Sequence, residues 1–324
     1  MKRLGALIAA VAMLAGASMP ASAQDKLTVR LDFSPWGVQA AMHLAKNKGW
    51  FKDANLDVDV QDGRGSGNTV QLVNAGQVDV GQVQVGLVGS ARAQGATIKS
   101  IATFQRKTDL CVLVDRDSPV KTVADLKDKT VVVFAASPWA PFIDLYLKSG
   151  GMTRDTVKVD FVDPAALWGT YTAKRSDGLM STVGSALPIA EGPRPSKCLL
   201  ASDAGIAFPS YGLVAREDVI ASKGAAIKRL IQVQQKAWTQ LKTNPDDGIA
   251  AMIAERPDAK LNADVLRGQI KLTIDYFDTP ASAGKPIGWQ AKEDWEAALK
   301  SMEDAGVVKP GWKAEDYYTN ALVD

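Results

Sequence analysis

Residues 63–69 read Gly-Arg-Gly-Ser-Gly-Asn-Thr, after a strand-like run and before a helix-like one. A glycine-rich turn at a helix start presents free backbone N–H groups and the positive end of the helix dipole. Ser66, Asn68 and Thr69 add side-chain donors. Such a segment suits an anion or a strong acceptor on a ligand. It equally fits a tight turn leading into a capped helix. No Lys follows the last glycine, which argues against a P-loop, and the spacing departs from the dinucleotide fingerprint. The tryptophans are a second resource. Trp36 and Trp139 each come just after a strand-like run, and Trp168 stands in a helix-like stretch after another. In open α/β sheets ligands bind at the carboxyl ends of strands. Trp36 and Trp139 are therefore expected to close on a flat ligand from two sides, with packing between lobes as the alternative for each.

Catalysis finds little footing. The single histidine, His43, lies in a helix-like stretch with no acid partner nearby. Most general acid–base and triad schemes thereby lose their usual base. No Gly-x-Ser-x-Gly elbow is present. Cys111 and Cys198 lack the CxxC spacing of a metal or redox site. Each sits in an apolar strand-like run, which fits a buried small hydrophobe or one half of a bridge. These residues call for no cofactor and no metal.

The elements that position these residues alternate along the chain. Strands are expected at Leu27–Leu31, Leu56–Val60, Val78–Gln82 and Ile98–Phe104, with helices at Gln39–Lys48, at Thr69–Ala75 and from Ala91. The period switches between two and 3.6. A second unit repeats this style. Thr122 caps a short helix, and strands follow at Thr130–Phe134, Val157–Val162 and Gly178–Thr182. Helices are expected at Pro138–Lys148, stopped by Gly150-Gly151, and at Ala165–Lys174. Leu199–Ser202 and Phe208–Ala215 follow, the latter strand-like. Helices are then expected at Ala225–Thr243, Asp246–Glu255, Ala263–Asp275 and Gln290–Ala305. This βαβα order predicts an α/β fold with mostly parallel sheets and helices on both faces. No flexible linker separates the units, so the chain is expected to cross between lobes on structured strands.

The chain has 324 residues, 46% of them hydrophobic, enough for two ordinary domains. Met1-Lys2-Arg3, the apolar stretch Leu4–Gly16 and Ala21-Ser22-Ala23 form the pattern of a secretory signal peptide cleaved after Ala23. The stretch is shorter than the roughly 20 apolar residues of a membrane span. The 38 basic and 36 acidic residues become 36 and 36 once Lys2 and Arg3 are removed. This balance gives no electrostatic footprint for nucleic acid or acidic lipid.

Several segments together resemble NMT1/THI5-like substrate-binding proteins, grouped with the nitrate, sulfonate and taurine binders of ATP-driven importers. These are Leu31-Asp32-Phe33-Ser34-Pro35-Trp36, Ala45 to Phe51, Gly65 to Val73, Gly76-Gln77-Val78-Asp79-Val80-Gly81, Asp125 to Lys129 and Pro209-Ser210-Tyr211-Gly212-Leu213. Gly288-Trp289-Gln290 through Trp295, and Tyr318-Thr319-Asn320, fit as well. The resemblance implies the type II periplasmic-binding-protein fold, with a first lobe of residues 24–115 and 210–324 and a second of 116–209. It implies a monomeric periplasmic protein that captures a small aromatic, heteroaromatic or anionic molecule and delivers it to a permease, with hinge bending near Asp115 and Pro209. The candidate ligand-binding set is Ser34, Trp36, Gly65, Ser66, Asn68, Thr69, Gln84 and Tyr211 in the first lobe, and Ser137, Trp139, Trp168 and Thr182 in the second. The alternative is a pyrimidine-synthase-type enzyme on the same scaffold. Pyrimidine-binding relatives carry an Asn-Thr-Asn-His-like run where this chain has Trp36-Gly37-Val38-Gln39. The Cys-rich motif of the eukaryotic synthases is absent.

Overall fold

The computed structural model describes residues 23–323. The expected signal segment, residues 1–23, lies almost wholly outside them. The chain opens with β1 (Asp25–Arg30), α1 (Ala40–Asn47), α2 (Trp50–Asp53), β2 (Leu56–Gln61), α3 (Ser66–Asn74), β3 (Val80–Gln84), α4 (Leu87–Ala93) and β4 (Ile98–Thr103). It continues with β5 (Leu110–Asp115), β6 (Thr130–Val133), α5 (Ile143–Ser149), β7 (Lys158–Phe161), α6 (Leu167–Thr172), β8 (Gly178–Thr182), α7 (Val183–Ala190) and β9 (Ser196–Leu200). It ends with β10 (Tyr211–Arg216), α8 (Glu217–Thr243), α9 (Pro245–Glu255), α10 (Ala263–Asp275) and α11 (Lys292–Asp304). Among the described residues, no helix is long and apolar enough to cross a membrane.

The strands form two five-stranded sheets, ordered β2-β1-β3-β10-β4 and β7-β6-β8-β5-β9. In each, four strands run one way and one is reversed: β10 is antiparallel to β3 and β4, and β5 to β8 and β9. Sequence follows position. β3 and β10 lie inside the first sheet and are almost wholly buried, and β5 is the same in the second. Strands covered by helices on both faces need apolar residues on both. Edge strand β2 instead alternates as Leu-Asp-Val-Asp-Val-Gln, and edge strand β7 is mostly exposed or half-buried.

The chain passes between the sheets twice, at residues 104–109 and 201–210. The two passages lie side by side, with the Ser210 N–H donating to the Gln105 carbonyl at 2.8 Å. The expected boundary at 115 falls one strand late, because residues 110–115 hydrogen-bond into the second sheet. Asp115, near which the hinge was expected, is held within the second lobe by Arg194 at 2.8 Å.

Several helices differ from expectation. The first helix turn at Pro138 does not form, and α5 starts only at Ile143. Pro141 explains this: a residue before proline is pushed out of the α region, and proline has no N–H to give. α4 begins at Leu87, not Ala91, and α8 at Glu217, not Ala225. α7 had no sequence forecast, because Gly184 and Pro188 mask its helical pattern. Cys111 and Cys198 form a disulfide between neighbouring strands β5 and β9, with Cα atoms 5.4 Å apart.

Candidate functional site

A narrow cleft opens where the carboxyl ends of the parallel strands of both sheets face each other. From the first lobe, Asp32, Phe33 and Trp36 follow β1, and Gly65 and Ser66 begin α3. Tyr211 arrives at the same end because β10 is reversed and starts there. From the second lobe, Phe134, Ser137 and Pro138 follow β6, and Leu167 and Trp168 open the helix after β7. Ser181, Thr182 and Ser185 stand at the junction of β8 and α7.

The lobes are closed on one another. The rings of Phe33 and Phe134 meet across the cleft at 5.6 Å. The Gly67 N–H donates to the Ala136 carbonyl at 3.2 Å, and Gln269 Nε2 to the Ser185 carbonyl at 3.1 Å. Gly65 takes φ of 120°, and a Cβ there would come within 2.7 Å of the Ala136 oxygen and 2.8 Å of the Phe134 ring. Only glycine allows both that backbone conformation and that approach.

Two buried acids set the electrostatics. Asp32 is 3% exposed; its Oδ2 accepts from Trp36 Nε1 at 3.0 Å and its Oδ1 from Gln39 Nε2 at 2.9 Å. Burial pushes its carboxyl up to about 6 against the lowering effect of those donors. Asp109, on the first passage between lobes, is fully buried. Its Oδ1 accepts from Ser210 Oγ at 2.6 Å and Gln84 Nε2 at 3.0 Å, and its Oδ2 has no partner. Burial pushes Asp109 up to about 7, and the neighbouring Asp32 charge adds to the rise. Burial also raises the Tyr211 hydroxyl well above the ordinary phenol range, and the two acids reinforce that shift.

Of the residues expected from sequence, Trp36, Gly65, Ser66, Ser137, Trp168, Thr182 and Tyr211 come together around the cleft. Five do not line it. Trp139 is fully buried in the second lobe, edge-on to Tyr146 at 4.9 Å, with its Nε1 donating to the Ser181 carbonyl at 2.7 Å. Pro138 reaches the cleft in its place. Thr69 is turned inward, its hydroxyl donating to the Leu31 carbonyl at 2.8 Å. Asn68 faces a separate groove walled by α3 and α4 on one side and by residues 135–141 of the second lobe on the other. Ser34 is exposed on the turn after β1. Gln84 lies beneath the cleft, held by Asp109.

The glycine-rich turn also differs from the expected anion cradle. Gly63 N–H donates to Phe33, Gly65 N–H to Asp32 and Gly67 N–H to Ala136, all to backbone carbonyls. Those N–H groups hold the turn and close the lobes. His43 does have an acid partner, distant in sequence: its Nδ1 meets Glu255 Oε2 at 2.8 Å, joining α1 to α9 away from the cleft. Sequence reasoning missed Asp32, Asp109, Phe33 and Phe134 as cleft features. The available signal was an acid immediately after an apolar strand in one case and immediately before one in the other. Among the described residues no cluster of His, Cys, Asp and Glu could hold a metal ion.

The sequence model of a family described as "NMT1/THI5 like" matches residues 37–248. A protein of Brucella abortus (strain 2308), provisionally named a binding protein, is 25% identical over 315 residues, covering 91% of each chain. The formylaminopyrimidine-binding protein of Halalkalibacterium halodurans is 21% identical over 327 residues, covering 97% of each. Among solved structures, the periplasmic aliphatic sulphonate binding protein SsuA from Escherichia coli superposes with a TM-score of 0.66 at 16% identity, covering 90% of this chain and 91% of that one. The two-lobed α/β architecture is thus that of periplasmic binding proteins.

Proposed function

The chain belongs to the NMT1/THI5-like family, and from that premise we propose that it is the periplasmic solute-binding protein of an ABC importer. It captures one small aromatic or heteroaromatic molecule between its lobes and hands it to a membrane permease. One observation carries this reading: aromatic side chains from both lobes, Phe33, Trp36 and Tyr211 against Phe134 and Trp168, wall a single cleft at the strand ends. Aromatic faces take offset or edge-on contacts worth about 0.5–1.5 kcal/mol beyond burial. The lobes meet through individual contacts and two short passages, which suits closure around a ligand.

An enzymatic role on this scaffold finds no support at the cleft. His43 lies elsewhere, paired with Glu255, and the lining residues hold no nucleophile–base pair. Fluorescence titration and thermal shift across a panel of small ring compounds test the proposal. Saturable binding at one site per chain, with the compound recovered unchanged by mass spectrometry, is the expected result. Catalytic turnover, or no binding across the panel, would overturn it.

A further inference from the structure

A groove of about 460 Å³ lies at the hinge, apart from the cleft. Both passages between the lobes line it, through Arg106 and Thr108 on one and Ala207 and Phe208 on the other. Leu200 and Ser202 wall it from the second lobe, and Tyr276 after α10 and Asp294 on α11 wall it from the first. Among the described residues none lines both the groove and the cleft. Neighbours on the first passage divide between the two. Asp109 turns its carboxylate to Gln84 and Ser210 beneath the cleft, while Thr108 lines the groove. The groove therefore lies on the far side of the passages from the cleft.

Two buried donors of this lining are unengaged. Arg106 is 3% exposed and Thr108 8%. Arg106 Nη1 donates to Asp278 Oδ1 at 2.9 Å and to the Ser282 carbonyl at 3.2 Å, and Nη2 to the Pro286 carbonyl. Its Nε has no partner, and neither has Thr108 Oγ1. A guanidinium N–H can only donate, and a hydroxyl donates wherever an acceptor is offered. Buried polar atoms without partners are costly, so both call for an acceptor. Charge points the same way. Asp278 and Asp294 answer the Arg106 charge. Lys107 is exposed on the rim, its Nζ 5.7 Å from the centre of the Tyr276 ring, and it pairs with no carboxylate among the described residues. Asp294, the one acid on the wall, already accepts from Thr279 Oγ1 at 2.7 Å, and burial pushes its carboxyl above the usual range. Leu200, Ala207, Phe208 and Ala297 add an apolar side.

We infer that this groove is a second binding site, for a small carboxylate with a short apolar tail, and that its occupant favours the closed arrangement of the lobes. Lys107, Thr108 and the Nε of Arg106 serve the carboxylate, and the tail lies along Phe208 and Ala297. Closing the cleft swings the lobes about the two passages. A groove behind those passages widens as the cleft in front of them narrows. A molecule that fills the widened groove binds the closed state better and shifts the population towards it. The carboxylate site stands apart from whatever the cleft takes; only its link to closure rests on the solute-binding reading above.

The test uses hexanoate as the probe, with hexylammonium and hexanol as matched controls, on the full chain. Ligand-observed NMR titration gives the affinities. Hexanoate is expected to saturate one site and to bind about tenfold or more tighter than either control, the range for a charge-assisted hydrogen bond. Lys107→Gln and Thr108→Val are each expected to weaken hexanoate by about tenfold. Trp168→Ala, which alters only the cleft, is expected to leave hexanoate affinity unchanged. Small-angle scattering is expected to show a smaller radius of gyration at saturating hexanoate, and no change in Lys107→Gln at the same concentration. Hexylammonium binding as tightly as hexanoate, an affinity that survives both groove variants, or one that disappears in Trp168→Ala would each overturn the site. An unchanged radius of gyration at saturation would overturn its link to closure. Ring compounds that still saturate the cleft when hexanoate fails to bind would sink this inference and leave the solute-binding reading standing.

Discussion

The indole nitrogen of Trp139 donates to the backbone carbonyl of Ser181 at 2.7 Å, from a ring with no exposed surface. Ser181 lines the cleft, whereas Trp139 supports it from behind. Replacing Trp139 is therefore a stability experiment. Trp139→Ala is expected to cost about 3–5 kcal/mol of stability, the range for emptying a buried tryptophan site. Trp168→Ala, on the cleft wall, is expected to leave stability nearly unchanged and to weaken ligand binding by about 2–4 kcal/mol from lost burial and ring contact. Denaturant unfolding beside calorimetric titration separates the two. Equal effects on affinity would contradict this placement.

Thr69 gives a second separation. Its hydroxyl ties α3 to the Leu31 carbonyl. Thr69→Val keeps the shape and strands that oxygen, at about 1–3 kcal/mol. Urea midpoints are expected to fall while the ligand dissociation constant of the folded protein stays put. A tenfold loss of affinity at unchanged midpoint would assign the hydroxyl to the ligand instead.

Stability is expected to depend on pH in a definite direction. Asp32 rises from 3.8 to about 6 and Asp109 to about 7 on folding. Between about pH 4 and pH 7 the folded chain therefore holds protons that the unfolded chain releases. Stability from these two groups is present in acid and is lost as pH rises through that window. Each pK unit corresponds to about 1.4 kcal/mol, so the loss is on the order of a few kcal/mol. Acids lowered by partners, such as Asp115 beside Arg194, act below their unfolded value instead. Melting temperature is expected to be higher at pH 5 than at pH 7.5, and Asp109→Asn should flatten the curve. A curve that rises across this window would refute the assignment.

Closure is tested at Gly65. All three atoms that an added Cβ would strike belong to Phe134 and Ala136 of the opposite lobe. Gly65→Ala is expected to hold the lobes apart. Small-angle scattering should show no compaction on addition of ligand, and affinity should fall tenfold or more. Normal compaction in this variant would show that the lobes approach by another route.

The Cys111–Cys198 bridge spans 87 residues of sequence and clips β5 to β9. A crosslink of such reach is typically worth about 2–4 kcal/mol. Cys111→Ala with Cys198→Ala is expected to lower the melting point in the absence of reductant. Reductant should lower the wild type towards the same value. A wild type insensitive to reductant would mean that the thiols are unpaired.

Much of the architecture was legible because periodicity carries it. Leu56–Val60 alternates because β2 is an edge, and Leu110–Val114 is uniformly apolar because β5 is interior. What failed were decisions made by distant partners. Trp139 and Trp36 have the same local signature after a strand, yet Trp36 keeps an edge on the cleft wall and Trp139 packs wholly beneath it against Tyr146. Thr69 looks like a free donor until the β1 end arrives beneath it. Asp32 and Asp109 drew no forecast, since nothing local says that Trp36, Gln39, Ser210 and Gln84 will enclose them. Each miss is an instance of tertiary packing overriding a local cue.

The two reversed strands impose a schedule on assembly. β5 to β9 are contiguous in the chain, so the second sheet has every strand it needs once residue 200 has left the ribosome. The first sheet is missing β10 from between β3 and β4 until residue 216 appears. Until then β3 and β4 have no shared neighbour, and both present unpaired backbone edges. The lobe that begins first is thus completed last, around a ready-made second lobe. A ribosome stalled between these two points would expose a protease-resistant middle flanked by an unfinished N-terminal unit.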